Sequence, residues 1–318
     1  MSCSFKSTIS ELTPGTSYYV RAYATNQYGT AYSNQIVVTT QDVASNKWDG
    51  NIATKFARGS GSSADPYIIE TGGQLLLIKD YKDKCFEIAN NIDLNNNNWL
   101  PFEFNGTLDG NGCIISNLKV NRSNNNQGLF STLSGTVKNL TIKNVNIVAP
   151  SVSYIGALAG SISASSVINC KVILTEESQI TGDQYVGGLV GSNNYYNTVS
   201  IIESSVEYAG TSAEVIKGNK NVGGIAGQIY NGNNKITSCL AQVNIKGAEE
   251  VGGICGKSFT NDGKNEIKQC SYKGKIEGGK VVGGIVGNAA NYTCIIASKS
   301  DVEIARSEER RVGKECRS

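Results

Sequence analysis

The amino-acid sequence predicts an all-β fold, most of it a parallel β-helix or β-solenoid, on three observations. First, one phrase recurs five times, at 154–160 (YIGALAG), 185–191 (YVGGLVG), 221–227 (NVGGIAG), 250–256 (EVGGICG) and 281–287 (VVGGIVG). Its first glycines are 31, 36, 29 and 31 residues apart, a period too short for one unit to bury its own core without stacked neighbours. Second, the stretches between copies are short alternating runs rich in β-branched residues, such as AQVNI at 241–245, with no apolar recurrence at the helical period. Third, the 318 residues hold 36 Gly but only 4 Pro, with Asn and Ser between the runs, a composition suited to many corners.

The first element lies at the N-terminus. Thr13, Pro14 and Gly15 form a turn signal, followed by an alternating aromatic and β-branched run over 18–24. Residues 26–30 supply a Gly-containing turn, and QIVVTT at 35–40 reads as the returning strand. The string LTPGTSYYVRAYATNQYGTAY at 12–32 resembles the last three strands of a fibronectin type III domain. That resemblance implies the C-terminal part of such a β-sandwich over 1–41. A partial sandwich leaves an apolar face and a strand edge uncovered, so residues 1–41 are expected to be poorly ordered or sticky in isolation. Residues 42–64, rich in Ser, Asn and Gly, read as a linker.

The solenoid is expected over 65–305. Alternation at 113–120 and 137–142 extends the repeat pattern upstream of its first copy. The phrases DPYII at 65–69, IDL at 92–94, WLP at 99–101 and FNGTLDGNG at 104–112, with the V-G-G-[IL]-x-G copies, resemble bacterial GLUG-repeat proteins. The resemblance implies a secreted or surface-attached bacterial protein. Such repeats stand beside fibronectin-like modules and in non-catalytic regions of some immunoglobulin A peptidases.

The repeat glycines are Gly156 and Gly160 in the first copy, then Gly187, Gly188 and Gly191, and Gly223, Gly224 and Gly227. Gly252, Gly253 and Gly256, and Gly283, Gly284 and Gly287, complete the set. Their expected role is structural: corners where glycine accepts a left-handed backbone and lets one coil lie against the next. The first copy carries Ala157 for its second glycine, which should only tighten that corner. After each copy a second phrase ends in Cys170, Ser204, Cys239, Cys270 or Ser298, expected to form one inward column of small residues.

Composition narrows the function. There is no histidine, which excludes a Ser-His-Asp or Cys-His nucleophile system, an H-E-x-x-H site and any His-ligated metal. With 29 basic and 27 acidic residues the net charge is +2, which argues against a nucleic-acid partner. No apolar stretch approaches the roughly 20 residues of a spanning helix, so this segment is not expected to insert in a membrane. No signal-peptide pattern opens the chain, and it is expected to be a piece of a longer protein whose signal and anchor lie elsewhere.

Several constellations have plain readings. GGICGKS at 252–258 nearly spells a P-loop, but Val251 stands where its first glycine belongs. Asp93, Asn95 and Asn97 imitate the start of an EF-hand loop, yet Asn98 and Phe104 replace the required Gly and Glu. A solvated turn is preferred there to a weak calcium site. Nine cysteines include no C-x-x-C pair. Cys239 and Cys270 are expected on neighbouring coils, unbridged because parallel in-register Cβ vectors strain a disulfide.

Carboxylates carry the enzyme alternative. Some parallel β-helices degrade polysaccharides with acid side chains on one face, and Asp93, Glu103 and Asp109 are near each other in sequence. The preferred reading has no catalytic residues, no cofactor and no metal. It is a non-catalytic, adhesin-like stalk or binding scaffold at the bacterial cell surface, with a host or dietary glycan or protein as partner. A repeat region of a larger immunoglobulin A peptidase-like protein is the other alternative. Oligomeric state stays open.

Residues 306–318 (RSEERRVGKECRS) break abruptly from the preceding composition. They match the in-frame translation of a sequencing adapter and are expected to be a non-native tail. Without their five basic and three acidic side chains the balance is 24 to 24.

Overall fold

The computed structural model describes residues 17–39, 47–193, 197–210 and 214–306. They fall into two units that divide between Lys47 and Trp48. The first unit holds two antiparallel ribbons. Ser17–Val20 pairs with Ile36–Thr39, and Tyr23–Asn26 pairs with Gly29–Tyr32. The run expected as one strand over 18–24 therefore breaks at Arg21 and Ala22, and the turn narrows to Gln27 and Tyr28. Ser33 fixes the break: its N–H donates to the Ala22 carbonyl at 2.8 Å, and its hydroxyl accepts from the Ala22 N–H at 2.9 Å. The turn expected at 13–15 lies outside the described residues.

The second unit is the expected all-β fold, a parallel β-solenoid of about seven turns. Every coil passes through three walls. In one coil Ala226–Tyr230 belongs to a seven-strand wall, and Lys235–Thr237 to a nine-strand wall. Leu240–Gln242 and Ile245–Gly252 then run along a twelve-strand wall before the next coil begins. These are called the first, second and third walls below. Pairing is parallel throughout the unit's named ladders, so equivalent side chains stack directly above one another.

Stacking in register turns the alternating runs into columns. On the second wall Leu108, Val137, Val167, Ile201, Ile236 and Ile267 align and are buried. Ile147, Ile180, Ile216, Ile245 and Ile276 do the same on the third. Each buried Ile or Val contributes roughly 1.5–3 kcal/mol relative to exposure, and the period-2 alternation sends the intervening residues outward. At the last coil the columns continue into Ile295 and Ile304, which are exposed.

The first coils are closed by a cap that starts earlier than the solenoid boundary expected at 65. Trp48, inside the stretch expected to be a linker, is buried; its backbone N–H donates to the Asp93 carbonyl at 2.7 Å. Its ring meets Trp99 edge-on at 5.3 Å between centroids. The short helix Gly72–Leu77 buries Leu75, Leu76 and Leu77, and the Thr71 hydroxyl accepts from the Gln74 N–H at its start. Such a cap spares the first apolar layer from water, as stacked repeats require at their ends.

Candidate functional site

The repeated phrase forms the corner between the third and first walls, and this corner is built differently from the sequence expectation. None of the fourteen repeat glycines has a left-handed φ; the residue two before the first glycine does. Tyr154, Tyr185, Asn221, Glu250 and Val281 have φ of 67°, 57°, 56°, 55° and 51°. The glycines serve close approach instead. A Cβ on Gly187, Gly223, Gly252 or Gly283 would fall 2.0–2.1 Å from a carbonyl oxygen three residues on. One on Gly188, Gly224 or Gly253 would meet the second glycine's carbonyl of the next coil at 2.2–2.3 Å. Gly227 and Gly256 lie against the peptide that precedes the valine of the preceding copy.

The left-handed column projects side chains along the outside of this corner. Tyr154 and Tyr185, half-buried, stack at 4.6 Å with an interplanar angle of 24°. Two coils further on, Glu250 is almost fully buried. Its Oε1 accepts from Lys257 Nζ at 3.0 Å and from Asn288 Nδ2 at 2.7 Å. Its Oε2 has no hydrogen-bond partner; Lys220 Nζ stands 3.9 Å away. Burial pushes the Glu250 carboxyl up, but Asn288, Lys257 and Lys220 outweigh it and hold the group below its ordinary range. The signal for this column was in the sequence, since these residues open four of the five quoted phrases' V-G-G units and the first copy's I-G-A.

The carboxylates that could have formed an enzyme site are separated. Asp93 lies in Ile92–Asp93 on the third wall, Glu103 in Phe102–Phe104 on the first, and Asp109 in Thr107–Asp109 on the second. They do not share a face, because one coil's three walls intervene between residues close in sequence. Each also has a partner. Asp93 accepts from the Asn95 N–H and the Asn117 amide, both at 2.7 Å. Glu103 pairs with Lys82 at 3.1 Å. Asp109 pairs with Lys138 at 3.0 Å and accepts from the Asn111 N–H at 2.9 Å.

Both aspartates start asparagine ladders. From Asp93 the contacts run to Asn117 and Asn144, and from Asp109 to Asn139 and Asn169. Asp109 is held below the ordinary carboxylate range: burial raises it, but the Asn111, Asn139 and Lys138 contacts prevail. A third ladder, Asn193, Asn234 and Asn265, is buried in the core between the first and second walls. The EF-hand-like stretch is a turn with Asn95 and Asn96 left-handed. Among the described residues no three of His, Cys, Asp and Glu cluster to hold a metal.

The remaining motifs also resolve into repeat structure. The P-loop-like stretch leads into the strand Cys255–Phe259 rather than a helix, and its Lys257 is the partner of Glu250. At the corner of the second and third walls, Cys170, Ser204, Cys239 and Cys270 are buried and Ser298 half-buried. The Cys170 N–H donates to the Ser204 hydroxyl and the Cys270 N–H to the Ser298 hydroxyl, both at 3.1 Å. All seven described cysteines are free thiols. Burial pushes Cys170 and Cys255 up to about 12, so neither is a ready nucleophile.

An open groove of about 550 Å³ lies where two successive coils leave the third wall. Asn121, Arg122, Ser123 and Asn124 line one side; Val148, Pro150 and Ser151 line the other. No described helix is long and apolar enough to cross a membrane.

Comparison with known proteins matches part of this chain to three kinds of protein. Residues 87–173 match the M26 IgA1-specific metallo-endopeptidase N-terminal region. Halomucin of Haloquadratum walsbyi is 33% identical over 188 residues, covering 52% of this chain and 2% of that protein. A protein of Evansella cellulosilytica named as a Gly-rich membrane protein is 28% identical over 190 residues, 46% of this chain and 22% of that one. The chain thus spans less than a quarter of either relative. A crystal structure of a Bacteroides ovatus protein named as an immunoglobulin A1 protease superposes with a TM-score of 0.61 and 18% identity. It covers 78% of this chain and 80% of that one, a likeness of fold.

Proposed function

We propose that the chain is a non-catalytic scaffold region of a larger secreted or surface-attached bacterial protein, of the kind that accompanies an immunoglobulin A peptidase. The observation that carries this reading is the dispersal of Asp93, Glu103 and Asp109 over three walls, each tied to a partner. Hydrolysis of a glycosidic bond needs two carboxyl groups converging on one bond. The match of 87–173 to the N-terminal region of M26 endopeptidases supports the peptidase setting. The reading keeps GLUG-type repeats over 65–305, a fibronectin type III-like remnant over 1–41 and a non-native tail over 306–318. Backbone pairing in Lys299–Arg306 reaches Arg306; 307–318 lie outside the described residues.

A binding role is the second reading. The stacked Tyr154 and Tyr185, and the Asn- and Ser-lined groove, offer the combination of ring face and hydrogen-bonding edge that sugars take. On this reading the stalk is adhesin-like and the partner is a host or dietary glycan or protein.

The full chain, incubated with immunoglobulin A1 and with a polysaccharide panel, should release neither fragments nor reducing sugar. Sugar release that disappears in Asp109→Asn would overturn the scaffold reading. A glycan array separates the two readings: binding lost in Tyr154→Ala favours the adhesin, and no binding favours the plain scaffold.

A further inference from the structure

We propose that Lys257 and Asn288 are joined by an intramolecular isopeptide bond, formed by the chain itself with Glu250 carrying the proton. Lys257 and Asn288 are register partners on adjacent strands of the first wall. Their side-chain nitrogens meet at a single oxygen, Glu250 Oε1, at 3.0 and 2.7 Å. The nucleophile and the leaving group of an amide exchange are thus both in reach of one general acid–base, the arrangement such catalysis needs. The Glu250 side chain is only 6% exposed, which keeps water from competing for its contacts to the two nitrogens.

The reaction balances without an oxidant or cofactor. Glu250 takes a proton from the Lys257 ammonium, and the freed amine attacks Cγ of Asn288. As the Nζ–Cγ bond forms, the Cγ–Nδ2 bond breaks. Glu250 delivers its proton to the departing nitrogen, which leaves as ammonia, and then recovers a proton from Nζ. Because Lys257 and Asn288 hold Glu250 in its charged form at rest, the first transfer is uphill and the bond forms slowly after folding.

The arrangement is specific to one coil. Of the left-handed corner residues Tyr154, Tyr185, Asn221, Glu250 and Val281, Glu250 is the one carboxylate. In the register column Ser192, Gln228, Lys257 and Asn288, its coil is where a lysine faces an asparagine. The left-handed φ of 55° at Glu250 is unfavourable for a residue of that type, and it aims the side chain across the rung.

Intact mass of the full chain after prolonged warm incubation tests the proposal. The expected mass is lower by one ammonia, with a cross-linked peptide joining residues 257 and 288 and no tryptic cleavage after Lys257. Cyclisation at Asn105–Gly106, Asn111–Gly112 or Asn231–Gly232 would cost the same mass, so Lys257→Arg, which keeps the charge, decides the source. That variant and Glu250→Gln should both return to the unmodified mass. An ammonia loss that persists in Lys257→Arg, or an unshifted mass for the folded parent chain, overturns the assignment.

Discussion

Two corners of each coil solve the same problem with different chemistry. Between the second and third walls the backbone turns through one left-handed residue, such as Asn169, Glu203, Ser238 or Gln269, followed by a small buried Cys or Ser. Between the third and first walls it also turns through a left-handed residue, Tyr185, Asn221 or Glu250, but a valine and two glycines follow. The turning is therefore not what calls for glycine. At the second corner the carbonyl three residues on comes within about 2 Å of where a Cβ would stand, and the next coil's backbone crowds the second glycine. A side chain fits at the first corner and has no room at the other.

The largest effect that would break this comparison is Gly223→Ala. Its new Cβ would lie 2.1 Å from the Ala226 carbonyl oxygen, and we expect more than about 3 kcal/mol of destabilisation by chemical unfolding. Gly224→Ala should cost less, since Ala157 holds the equivalent place in the first copy and keeps its N–H contact to the Gly188 carbonyl at 3.3 Å. Equal losses would refute the distinction between the two glycines.

Asn234→Ala comes next. It leaves the Val199 N–H and the Asn265 side chain without their present contacts at 3.0 and 2.8 Å, an expected cost of roughly 1–3 kcal/mol. At the permissive corner Cys239→Ser should stay within about 1 kcal/mol of the parent, because Ser204 already occupies the rung before it. A loss as large as that of Gly223→Ala would show that the two corners are equally constrained.

The smallest effect is acid-dependent. Asp109 has a lowered folded-state pKa, so its contacts add stability above the unfolded carboxylate value near 4 and lose it as pH falls through the folded value. Asp109→Asn should reduce stability at neutral pH by about 1 kcal/mol or less and flatten the acid limb of a pH–stability profile. An unchanged acid limb would remove Asp109 from the account.

Much of the solenoid was legible in the sequence because a repeat prints its own period. The five V-G-G phrases and the runs around Val167, Ile201, Ile236 and Ile267 mark coils, and parallel stacking then follows from burying one face of each. The role of the glycines was only half legible. Sequence shows that glycine is needed, but a left-handed φ and a close backbone contact make the same demand on composition, and only coordinates separate Asn221 from Gly223. The cap around Trp48 and the helix Gly72–Leu77 was missed because neither repeats. Placing Asp93, Glu103 and Asp109 on one face failed because one coil sends neighbouring residues to different walls. The meeting of Lys257, Glu250 and Asn288 joins residues up to 38 apart in the chain, visible only once the coils are stacked.

The most direct test sets Gly223→Ala beside Val281→Gly in equilibrium chemical unfolding. Val281 is a β-branched residue held at a φ of 51°, so glycine there should relieve strain and raise stability by about 1 kcal/mol, while alanine at Gly223 lowers it severalfold more. If Gly223→Ala is tolerated and Val281→Gly is the damaging change, the glycines are serving backbone conformation, and the inter-coil packing account is wrong.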